Sequence, residues 1–118
     1  MKNPDKLTKV LVEVTERHIK NGKVNDSNDC PFVRALMSVL VTKVQIVADY
    51  DEILLEFPNP DTSVAEFIIN TPVKVSKFMK RIDATDPDTN DGPLPPAPKP
   101  FTVTLRIPNK FLRPKFQS

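Results

Sequence analysis

Five of the chain's 13 prolines fall between Pro93 and Pro100, against two glycines in all 118 residues. Proline fixes φ near about −65° and lacks a donor N–H, so this stretch belongs to neither a helix interior nor a central strand. An extended polyproline conformation is expected, and at about 3.1 Å per residue it can cross a small domain. Elsewhere too, turns must be built by fixing φ more than by permitting positive φ. The expected organisation is a single domain formed by residues 1–83 and 100–108, a Pro-rich connecting segment over 84–99, and a basic tail over 109–118.

The rest of the chain reads as alternating short strands and helices. Lys9 to Val14 alternates, with Val10, Val12 and Val14 on one side, as a half-buried strand does. Thr15 is placed to cap a single helical turn over Glu16 to Lys20, which Gly22 could end in a left-handed conformation. Asp29 is expected to cap a helix over Pro31 to Val41 whose only polar residues are Arg34 and Ser38. Lys43 to Ala48 and Glu52 to Phe57 alternate on either side of Asp49-Tyr50-Asp51 and predict a hairpin, its second strand stopped by 58–61. Ala65 to Asn70 is a further strand. Thr71-Pro72 is expected to start an amphipathic helix with Val75, Phe78, Met79 and Ile82 on one face. Phe101 to Ile107 is the last strand.

This order predicts an α+β fold: two layers, a mixed sheet of roughly four to five strands, and two helices on one face.

The ordered set Thr15…His18-Ile19, Cys30-Pro31-Phe32-Val33-Arg34-Ala35-Leu36, Phe78…Arg81-Ile82-Asp83 and Pro100-Phe101-Thr102-Val103 resembles a family of small uncharacterised bacterial and phage proteins. Those share a Thr-x-x-His-Ile turn, a Cys-Pro-aliphatic-Ala helix start and a C-terminal Pro-Phe strand. The resemblance spans roughly Val12 to Ile107 and implies a fold and a phage or bacterial setting, with no chemistry. The chain departs from that pattern at Phe32-Val33 and in its long Pro-rich connection.

Composition removes several function classes. One Cys excludes an internal disulfide framework, and one His excludes His-rich metal sites. No Gly-rich phosphate loop and no nucleophile elbow is present. No apolar run is long enough to span a membrane and no leader pattern opens the chain, so a cytoplasmic protein is expected. No cofactor and no metal are expected.

The residues that could carry chemistry each have a structural alternative. Cys30, at a helix start, could have a lowered thiol pKa and act as a nucleophile with His18, or be a small buried packing residue. His18 could serve a catalytic pair or simply cap its turn. Asp49 with Asp51, and Asp26 with Asp29, could hold a cation but lack a calcium-loop pattern and suit solvated turns. Lys74, Lys77, Lys80 and Arg81 share a helix face, while Lys110, Arg113 and Lys115 lie beside Phe111 and Phe116. Together they could form a basic, aromatic patch that contacts phosphates and stacks bases.

A net charge of +2 is too small to force the nucleic-acid reading. The leading expectation is therefore an accessory protein of phage or prophage type that binds a partner protein and modulates a host system. A nucleic-acid-binding module is the alternative, and an enzyme using Cys30 and His18 the second alternative. A homodimer through an edge strand is also compatible with the exposed leucines.

Overall fold

The computed structural model describes residues 6–57, 66–88 and 92–117. The strand stop at 58–61, Ala65, residues 89–91 of the connector and Ser118 lie outside the described residues. Strand β1 covers Leu7–Val14, followed by helices α1 (Glu16–Asn21) and α2 (Pro31–Met37), strands β2 (Gln45–Ala48), β3 (Glu52–Glu56) and β4 (Glu66–Asn70), helix α3 (Val73–Ala84) and strand β5 (Phe101–Pro108).

The fold is α+β, and its strands form two antiparallel sheets, β1-β5 and β2-β3-β4, in place of the single mixed sheet expected. The reason lies in the pairing of the two longest strands. β5 runs antiparallel to β1 along its whole length, from Leu7 opposite Pro108 to Val14 opposite Phe101. In that register Val10, Val12 and Val14 share the core face with Val103, Leu105 and Ile107. A parallel crossover is not needed, because β5 enters the sheet in the opposite sense to β1. In the second sheet Ile53 faces Ile69 and Leu55 faces Phe67.

Local chemistry sets the element ends, and several differ from the sequence expectation. Helix α2 stops at Met37, short of Val41, where Ser38 Oγ donates to the Ala35 carbonyl at 2.6 Å and competes with further helical bonding. The N-cap of α2 is Cys30, not Asp29; the Asp29 carboxylate instead pairs with Arg34 Nε at 2.9 Å. Gly22 is extended, with φ of −71°, rather than left-handed. Its lack of a side chain serves a close approach, since a Cβ there would lie 2.4 Å from the Pro31 nitrogen. Thr71 does not cap α3: Pro72 takes that position, and the Thr71 hydroxyl donates to the Asp49 carbonyl at 2.9 Å.

The segment expected to trail as a basic tail is part of the core. Two 3₁₀ turns, Asn109–Phe111 and Pro114–Phe116, fold back onto the domain. Phe111 and Leu112 are fully buried, and Leu40 forms a β-bridge with Leu112. Thr8 Oγ1 donates to Asn109 Oδ1 at 2.5 Å, fastening the start of β1 to the first of these turns.

Candidate functional site

Helix α3 buries Val75, Phe78, Met79 and Ile82, the same four residues that define its apolar stripe in sequence. Its exposed side therefore carries Lys74, Lys77, Lys80 and Arg81. The extended Pro-rich segment runs beside this face. Between them lies an open groove of about 1060 Å³. Its basic walls are Lys74, Lys77, Lys80, Arg81 and Lys99, and its apolar surface comes from Phe78, Ala84, Phe101 and the run from Pro95 to Pro98. No carboxylate lines it among the described residues.

The electrostatics of the groove are additive. Helix α3 has no acidic residue in its first turn, and Lys74 stands there beside the positive end of the helix dipole. Lys74 is anchored: Nζ donates to the Thr102 carbonyl at 2.9 Å and lies 5.9 Å from the Phe101 ring centroid. That contact ties the helix to β5 and covers the ring. Phe78 packs on the same ring at 4.7 Å between centroids. The aromatic groups of the groove are thus engaged with each other and with Lys74. A rigid proline wall opposite a lysine-bearing helix suits an extended, anionic ligand.

The remaining basic residues do not join this groove. Phe111 stacks on Phe57 with centroids 4.8 Å apart and cannot present a face to a base. Arg113 is committed to the fold, donating to the carbonyls of Leu40 at 2.7 Å and Met37 at 3.3 Å. Lys110 lies over Phe111 and Lys115 over Phe116, which itself packs against the core. Burial of Phe111 therefore removes one of the two rings expected beside the C-terminal cations, and Phe116 is half-buried.

Cys30 and His18 each hold a place in the fold. The Cys30 side chain is buried, as the packing alternative has it, and burial pushes its thiol pKa up, opposite to the lowering a nucleophile there would need. The His18 ring closes a capping box with Thr15: the Thr15 N–H donates to Nδ1 at 3.0 Å while the His18 N–H donates to Thr15 Oγ1 at 3.3 Å. Partial burial lowers the imidazole pKa. Asp49 is likewise a turn residue, its carboxylate held below the ordinary range by the N–H groups of Glu52 and Asp51.

A second cluster had no signature in the sequence, because its members come from three distant segments. The Asp83 carboxylate accepts from the Asn25 N–H at 2.8 Å and from the Tyr50 hydroxyl. Asn25 holds a positive φ of 53°, and its side-chain amide donates to Asp86 at 2.8 Å. These contacts pin the loop before α2 and the β2–β3 turn to the end of α3. The pocket beneath them, reaching Cys30, holds only about 200 Å³, less than ligand sites usually provide. Among the described residues no cluster of His, Cys, Asp or Glu is placed to hold a metal ion, and no helix is long and apolar enough to cross a membrane.

No protein-family model, curated protein or solved structure matches the chain.

Proposed function

We propose that this is a binding protein whose groove between α3 and the Pro-rich segment receives an acidic, extended segment of a partner protein. The observation that carries the reading is the pairing of five cations with an apolar floor in one groove whose described lining has no carboxylate. An acidic peptide meets both halves of that surface, since carboxylates pair with the lysines while apolar side chains lie against Phe78 and the proline wall. The setting proposed for this activity is a bacterial or phage one, in the cytoplasm, where occupation of the groove modulates a host protein.

Single-stranded nucleic acid is the second reading, favoured by the density of positive charge. It has less support, because Phe111 is buried and the groove's Phe101 is covered by Lys74 and packed against Phe78, so neither ring offers a free face to a base.

Titration distinguishes the two. A labelled peptide alternating Glu and Leu, and an oligothymidylate of similar length and charge, are each added to the protein at low and at moderate salt. The expected result is preferential binding of the peptide, weakened steeply by salt and by at least about tenfold in a Lys77→Glu/Arg81→Glu variant. Tighter binding of the oligothymidylate would favour the second reading. Absence of binding to either at low salt would remove the groove from consideration.

A further inference from the structure

The outer edge of β1 is a second surface, independent of the groove. Strand β1 lies at an edge of its two-stranded sheet. The Asn109 N–H donates to the Lys6 carbonyl at 2.9 Å, which fixes the phase of the ladder. Because backbone groups alternate in direction along a strand, Thr8, Val10, Val12 and Val14 turn theirs toward β5. Leu7, Lys9, Leu11 and Glu13 turn theirs to the other edge, where no strand among the described residues pairs with β1. The side chains of these same residues form the exposed face, where Leu11 is 51% and Leu7 48% accessible. A long edge with two exposed leucines is a pairing template that a chain must either guard or use.

The charges on this edge favour its use. Lys9 stands directly opposite Arg106, a like-charge cross-strand pair that costs stability in the isolated sheet. Glu13, two positions beyond Leu11 in the other direction, faces the neutral Thr102. A second copy placed antiparallel about a two-fold axis through Leu11 sets Leu11 against Leu11 and Lys9 against Glu13 at both ends. Each row across the joined sheet then reads Arg106, Lys9, Glu13 of the second copy, Thr102 of the second copy, so a carboxylate sits beside the like-charge pair. The central row reads Thr104, Leu11, Leu11, Thr104. The Glu13 carbonyl also faces the His18 ring, and a carbonyl has a second lone pair for the ladder. Two-stranded sheets are marginal alone, whereas this pairing yields a four-stranded antiparallel sheet.

We infer that the protein self-associates as an isologous dimer, two copies of β1 pairing antiparallel about Leu11, with Lys9 and Glu13 as the mutual charge contacts.

The test is sedimentation equilibrium on the full chain and three variants. The wild type is expected to dimerise at concentrations above roughly 100 µM. Lys9→Glu is expected to weaken the dimer by at least about tenfold, because it sets two carboxylates opposite each other. It should leave the circular dichroism and melting of the monomer intact, since a Glu at position 9 faces Arg106. Reversing both charges, Lys9→Glu with Glu13→Lys, is expected to restore the dimer, which a general loss of folding would not do. Ile68→Lys, on the exposed edge strand β4, should leave the dimer unchanged. A monomeric wild type, a Lys9→Glu dimer of undiminished affinity, or dissociation by Ile68→Lys would each overturn the inference.

Discussion

The Phe111 ring stacks on the Phe57 ring, centroids 4.8 Å apart and planes 8° from parallel. This contact, with the buried Leu112, ties the segment from Asn109 to Leu112 into the fold. Phe111→Ala is expected to destabilise the protein by about 3–5 kcal/mol, the range for deleting a buried phenyl group. Arg113→Ala, which abandons two backbone carbonyls, should cost about 1–3 kcal/mol. Denaturant titration followed by circular dichroism checks both. Truncation at Pro108 should unfold the protein, so it cannot serve as a clean test of what the C-terminal cations bind.

Tyr50 is the chain's only tyrosine, and there is no tryptophan, so tyrosinate absorbance reports this one group. Its hydrogen bond to Asp83, then burial, then the nearby Asp83 charge push its pKa from 10.0 up to about 12. A raised acid pKa means that the folded state favours the neutral phenol. The stabilisation is therefore fully present below about pH 10 and is lost as pH rises through about 12. Spectrophotometric titration should place the midpoint near 12 in the wild type and nearer 10 in Asp83→Asn. A wild-type midpoint at the ordinary tyrosine value would show that the contact is not maintained in solution.

At Gly22 the backbone conformation and the packing make opposite demands. A φ of −71° would accept alanine, and the loss of unfolded-state freedom alone would stabilise by about 0.4–1 kcal/mol. The Pro31 backbone, 2.4 Å from the position of a Cβ, cannot give way as a flexible side chain could. Gly22→Ala is expected to destabilise by about 1–3 kcal/mol, as overpacking does, and to lower the melting temperature by several degrees. A rise in melting temperature would refute the close approach.

What could be read in the sequence was periodicity. The alternation of β1 and the four-residue stripe of α3 both describe buried faces in the folded protein, because each depends only on the geometry of its own element. The division into two sheets could not be read, since an alternating strand fits either sheet and the choice rests on the β1–β5 match across the whole chain. Phe111 and Leu112 were hidden by their neighbours Lys110 and Arg113, whose charge suggests a solvated tail. Their burial is decided by Phe57 and Leu40, far away in sequence. The Lys face of α3 was legible for the same reason as its apolar stripe, but the proline wall that turns this face into a groove was not, because it depends on the course of residues 93–100.

The groove is the central claim, and amide chemical-shift mapping with the Glu/Leu peptide tests it most directly. The account predicts shifts concentrated at Lys77, Lys80, Arg81, Ala97 and Lys99, reduced by added salt and abolished by Lys77→Glu/Arg81→Glu, whose spectrum otherwise remains that of the folded protein. Shifts confined to the pocket of Asn25, Tyr50 and Asp83, or no shifts at low salt, would contradict it.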